Sequence, residues 1–122
     1  MSTILIVDDS ATMRTLVRQA LEPEHTVLEA PHGAAALALL EQTPADLVLT
    51  DVIMPEMDGL GLTRRLRASE RFARLPVLIL TTEATPAMKE RGRSAGATGW
   101  LVKPFHPDTL RQSVRRVLAE PV

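Results

Sequence analysis

Five short apolar runs, each followed by a stretch with helical patterning, constrain this chain more than any other feature of its 122 residues. The runs are Thr3 to Val7, Thr26 to Ala30, Leu47 to Asp51, Pro76 to Leu80 and Gly99 to Val102. In the third, Leu47, Val48 and Leu49 are apolar without alternation, as expected of a strand covered on both faces of a parallel sheet. The first intervening segment places Met13, Leu16, Val17, Ala20 and Leu21 at helical spacing and stops at Pro23. Gly33 to Gln42 is an Ala/Leu-rich helix closed by Thr43-Pro44. Gly59 to Ala68 has Leu62 and Leu66 about one turn apart, with Arg64, Arg65 and Arg67 expected to face outward. In the fourth helix, Pro86 suits the first helical position and Gly96 the cap, but Lys89, Glu90, Arg91, Gly92 and Arg93 leave it poorly apolar. The last opens at His106-Pro107-Asp108 and carries Leu110, Val114, Val117 and Leu118 on one stripe. Strand and helix in strict alternation predict a doubly wound α/β fold, one parallel sheet between two layers of helices.

That fold brings chemistry to one edge. Asp8, Asp9, Asp51, Thr81 and Lys103 all fall at the carboxyl ends of strands, where open α/β sheets bind ligands. The predicted edge gathers three acids, a hydroxyl and an ammonium. Carboxylates this close repel one another, and with an ordinary Asp pKa of about 3.9 they need a cation to relieve them. Carboxylate oxygens suit Mg²⁺, whereas softer metals call for Cys or His, which no strand end supplies. Lys103 and Thr81 suit a group arriving with several anionic oxygens, and Asp51 is then placed to attack a phosphoryl group in line and become an acyl phosphate. Taken singly, these residues have plainer roles: Asp8 or Asp9 capping a helix, Thr81 finishing a turn, Lys103 pairing with Asp51. Their convergence at one edge favours the chemical reading.

Composition removes several alternatives. There is no Cys, so no disulfide, and the N-terminal run is too short for a signal peptide or a membrane span, which points to a cytoplasmic chain without a membrane partner. Phe72, Trp100 and Phe105 are the only aromatics, too few to stack nucleic-acid bases or a flavin ring. Charge is uneven: residues 1–61 hold ten acids against Arg14 and Arg18 alone, and residues 62–122 hold 12 bases against five acids.

At these residues the sequence resembles the response-regulator receiver domain over essentially its whole length. Val7-Asp8-Asp9-Ser10, Asp51 with Met54-Pro55 and Asp58-Gly59, Thr81, and Lys103-Pro104-Phe105 match that family's pattern in order and spacing. The resemblance implies strand order 2-1-3-4-5, Mg²⁺ held by Asp9, Asp51 and the backbone carbonyl of Ile53 with Asp8 acting through water, and a cis bond before Pro104. It implies phosphoryl transfer onto Asp51 from the phosphohistidine of a histidine kinase. Thr81 would then move toward the phosphoryl group and Trp100 turn inward, altering the face made by the fourth helix, fifth strand and fifth helix. Lys89, Arg91, Arg93, Arg111, Arg115 and Arg116 would make parts of that face basic, suited to an acidic or amphipathic effector segment such as one from a flagellar motor switch component.

Ser10-Ala-Thr-Met-Arg14 and Leu80-Thr81-Thr82-Glu83 look most like stand-alone, CheY-like chemotaxis regulators. One receiver domain spanning 1–122, monomeric and without an output domain or DNA contact, is the expectation. Ile53 departs from the Asn carried by the best-known chemotaxis regulators, and an apolar side chain there cannot orient a hydrolytic water. The alternatives are a phosphorelay intermediate or phosphate sink without an effector, a Mg²⁺-dependent phosphatase with an aspartyl nucleophile, and a flavodoxin-like carrier. The phosphatase wants an acid where Ile53 stands, and the carrier's cofactor phosphate would be repelled by the acidic pair.

Overall fold

The computed structural model describes residues 2–119. Ten elements alternate: β1 Thr3–Val7, α1 Ala11–Leu21, β2 Thr26–Ala30, α2 Gly33–Gln42, β3 Leu47–Thr50, α3 Gly59–Ala68, β4 Val77–Thr81, α4 Pro86–Ala95, β5 Gly99–Val102 and α5 Pro107–Ala119. All strand pairs are parallel and the sheet order is β2-β1-β3-β4-β5, the flavodoxin-like order expected. Three strand boundaries differ from expectation by one residue. β3 ends at Thr50, leaving Asp51 on the first loop residue, and β4 runs from Val77 to Thr81 because Pro76 has no amide to contribute to the ladder.

The consecutive apolar residues serve two cores. Leu5, Val7, Val48, Val77 and Ile79 point to the side covered by α2, α3 and α4, while Ile4, Ile6, Leu47, Leu49, Leu78 and Leu80 point to the side covered by α1 and α5. Period-two alternation is present, but both faces are dry, so it is invisible as polarity in the sequence. Leu16 is a correction: placed on the apolar stripe of α1, it is 46% exposed, outside the Val17, Ala20 and Leu21 contact.

Arg67 is a second correction. It does not face outward but is half-buried, donating from Nε to the Gly96 carbonyl at 2.9 Å and from Nη1 to the Leu75 carbonyl at 2.7 Å. Burial lowers its pKa. It ties the C-terminal cap of α4 to the loop after α3. Gly96 closes α4 at φ 103°, a left-handed conformation open to glycine, and Thr85 caps the other end by accepting from the Met88 amide. None of the described helices is long and apolar enough to cross a membrane.

Candidate phosphoryl-transfer site

The strand ends are locked in register by main-chain bonds that cross between elements. The Asp8 amide donates to the Ala30 carbonyl at 3.2 Å, the Asp51 amide to Val7 at 3.0 Å, and the Lys103 amide to Thr81 at 2.8 Å. Each of the three residues is thereby the first beyond its strand, where no ladder neighbour competes for the side chain. Gly59, at the first turn of α3, sits so close that a Cβ there would lie 1.9 Å from the Asp51 carbonyl oxygen, so only glycine lets α3 start this near the site. Asp58 caps α3 by accepting from the Gly61 amide at 2.7 Å.

Lys103 Nζ stands 2.8 Å from Asp8 Oδ2 and 2.8 Å from Asp51 Oδ2. All three side chains are largely withdrawn from water, at 9%, 5% and 13% exposure. Burial would depress the Lys103 pKa, but its hydrogen bonds and charge pairing with Asp51 and Asp8 outweigh that and raise it, keeping the ammonium charged. Asp51 Oδ1 accepts from the Val52 amide at 2.6 Å. The Lys103-Pro104 peptide is cis, as the resemblance implied.

Two of the three acids share the ammonium. Asp8 and Asp51 meet at the ammonium, whereas Asp9 is exposed and makes no hydrogen bond or ion pair with any of the described residues. No group of three acidic or imidazole side chains placed to hold a metal ion occurs among the described residues. Lys103 offsets one of the two charges, which lets the carboxylates lie together and leaves a net negative charge there for a cation. The donor set still fits Mg²⁺ in kind, with two carboxylates held together, a third at the rim in Asp9, and Ile53, 58% exposed, on the loop beside Asp51.

Thr81 is at the edge as expected but fully buried, and its hydroxyl accepts from the Glu83 amide at 3.3 Å instead of touching Asp51 or Lys103. Trp100 is half-buried and its indole N–H donates to the Glu83 carbonyl at 2.9 Å, so one loop residue joins the hydroxyl to the aromatic. The ring lies against α4 at Gly92, where a Cβ would come within 2.5 Å of it. The expected basic face is narrower than the sequence suggested. Arg111 is bound to Asp108 in the first turn of its own helix and to the Ala20 carbonyl, and Arg115 to Glu24 at 2.9 Å, which the loop after α1 brings to α5. Lys89 and Arg91 of α4 form no ion pair, and Arg93 lies 3.6 Å from Glu90.

The response regulator receiver domain family matches residues 4–115. The chain belongs to that family. Chemotaxis protein CheY1 of Helicobacter pylori is 38% identical over 118 residues, covering 94% of this chain and 95% of that one. The structure of chemotaxis protein CheY4 from Vibrio cholerae superimposes with a TM-score of 0.91 at 40% identity, covering 96% and 98% of the two chains. The receiver domain of a Pseudomonas aeruginosa sensor histidine kinase, solved with magnesium in its active-site cleft, gives 0.89 at 29% identity, with 98% of each chain covered. The protein is thus a CheY-like receiver of two-component signalling.

Sequence reasoning missed two contributors near the edge. His32 caps α2 by accepting from the Ala35 amide at its Nδ1, and Arg14 reaches the Asp8 main chain. A signal for Arg14 existed: Arg14 and Arg18 are the only bases in the acidic first half, and they lie four residues apart on one helix.

Proposed function

We propose that this receiver takes a phosphoryl group from the phosphohistidine of a histidine kinase onto Asp51, and that the modified protein binds an effector in chemotaxis control in the cytoplasm. The observation that supports this most directly is the Lys103 ammonium equidistant from Asp8 and Asp51. An Asp51 carboxylate oxygen attacks phosphorus in line, an O–P bond forms, the P–N bond breaks, and the imidazole leaves with the electron pair and takes a proton. Lys103 is already charged and positioned, so it meets the phosphoryl oxygens without reorganisation. Asp8, Asp9, Asp51 and the Ile53 carbonyl are the groups to hold Mg²⁺, which supplies positive charge against the transferring oxygens. Thr81 donates its hydroxyl to the phosphoryl group once it releases the Glu83 amide. Because the same residue carries the Trp100 bond, that release carries over to the surface at α4 and β5. Lys89, Arg91 and Arg93 make this surface a match for an acidic effector segment.

Intact mass after treatment with a small phosphodonor and Mg²⁺ tests the reading. One added phosphoryl group is expected in the wild type and none in Asp51→Asn; equal labelling of both would reject it. Ile53→Asn is expected to speed loss of the phosphoryl group by about tenfold or more, since an amide at this exposed position can orient water. Decay followed by mass, with no difference from wild type, would show that Ile53 does not set the lifetime.

A further inference from the structure

Arg14 and Arg18 share one carboxylate, that of Glu29 on β2: Arg14 Nε donates to Oε1 at 2.9 Å and Arg18 Nε to Oε2 at 2.8 Å. Burial would push the Glu29 carboxyl up, but the bonds from Arg18 and Arg14 outweigh it and hold the group below the usual glutamate range. The remaining contacts of the two arginines differ. Arg18 goes on to Glu22 at 2.8 Å and to the Val27 carbonyl at 3.3 Å, binding the end of α1 to β2. Arg14 Nη1 instead donates to the main-chain carbonyl of Asp8 at 2.6 Å.

That bond completes the hold on Asp8. Its amide is bound to Ala30, its Oδ1 accepts from the Ser10 amide at 2.9 Å, its Oδ2 accepts from Lys103, and its carbonyl accepts from Arg14. A peptide unit is planar, so fixing the Asp8 carbonyl also fixes the amide of Asp9, whose own carboxylate has no partner. A lone guanidinium beside this turn would oppose any cation there. Two arginines with Glu29 and Glu22 form a neutral group, so the turn is held without that repulsion.

We infer that Arg14, oriented by Glu29, is a positioning residue that sets the Asp8-Asp9 turn for cation binding and so for phosphoryl transfer. The inference rests on the phosphoacceptor reading. It separates Arg14 from Arg18, which bonds the same carboxylate but has no contact with the turn.

The test compares wild type, Arg14→Ala, Arg14→Lys and Arg18→Ala in three measurements: hydrogen exchange at the Ser10 amide in metal-free protein, Mg²⁺ affinity by calorimetry, and thermal midpoint. Arg14→Ala is expected to raise Ser10 exchange and weaken Mg²⁺ by about tenfold each, the scale of one lost charge-assisted hydrogen bond. Arg14→Lys keeps the charge but cannot span Glu29 and the Asp8 carbonyl together, so it should weaken Mg²⁺ similarly with a smaller fall in midpoint. Arg18→Ala should lower the midpoint yet leave Ser10 exchange and Mg²⁺ affinity within about twofold, since its bonds lie away from the turn. Equal effects of Arg14→Ala and Arg18→Ala on all three measurements, or no effect of Arg14→Ala on exchange and affinity, would overturn the inference. A wild type that neither binds Mg²⁺ nor gains phosphoryl mass would reject the functional reading, while Ser10 exchange would still show whether Arg14 holds the turn.

Discussion

Helices α1 and α4 both begin just beyond the reactive edge, yet they are fastened in opposite ways. α1 inserts Val17, Ala20 and Leu21 into the core and is bound along its length by Arg14 and Arg18 to Glu29, with Arg111 of α5 capping its Ala20 carbonyl. α4 buries only Gly92 and Ala95, its charged residues are mostly in solvent, and it is held at its two ends by Thr85 and by Arg67 against Gly96. Buried side chains and charge pairs make one helix part of the frame. The other packs against α3 and the Trp100 ring but buries few side chains of its own, which leaves it the easier one to displace. A receiver needs both: an acidic pocket that does not drift, and a surface that answers to a small change in the Thr81 loop.

This contrast predicts a ranking of substitutions. The largest stability loss should come from Arg67→Met, about 2–3 kcal/mol in urea unfolding, because two half-buried carbonyls lose a charged donor together. Hydrogen exchange in that variant should rise along α4 and not along α1; a uniform rise would mean that Arg67 supports the whole fold. Gly92→Ala comes next, at about 1–2 kcal/mol, since the new methyl meets the Trp100 ring and overpacking exceeds the roughly 1 kcal/mol that alanine gains over glycine within a helix. Trp100 emission should shift as the ring gives way, and a more stable variant with unchanged emission would show that α4 already stands off β5.

The smallest effect is that of pH, and it bears on α1. Glu29 has a lowered pKa in the fold, so the stability it gives α1 is full above the ordinary glutamate value of about 4.3 and is lost as pH falls through the lower folded value. Lys103 has a raised pKa, so its contribution is full below about 10.4 and is lost only as pH rises through the higher folded value. Exchange measured toward acid should therefore rise along α1, and Glu29→Gln should abolish that step.

The parallel sheet, the helices and the convergence of Asp8, Asp51 and Lys103 were legible in the sequence because they follow from apolar runs alternating with helical patterning and from residues placed immediately beyond strand ends, whereas the strand order came only from the family resemblance. What was not legible depends on distance in three dimensions. Arg67 reads as one more outward arginine of α3 until the Gly96 and Leu75 carbonyls are seen beside it. Arg115 reads as part of a basic face until the loop after α1 brings Glu24 to it. Asp9 looks equivalent to Asp8, yet only Asp8 is in reach of Lys103. Charges find partners far along the chain, and helical periodicity carries no record of which.

The Lys103 bridge spans 95 residues to Asp8 and 52 to Asp51. The ammonium arrives with β5, on a sheet whose other four strands come earlier in the chain. A chain still emerging from the ribosome, or one whose last strand has detached, holds its two acids without the cation that makes them a reactive pair. On the phosphoacceptor function proposed above, copies in which β5 is missing or detached would therefore stay silent to a kinase.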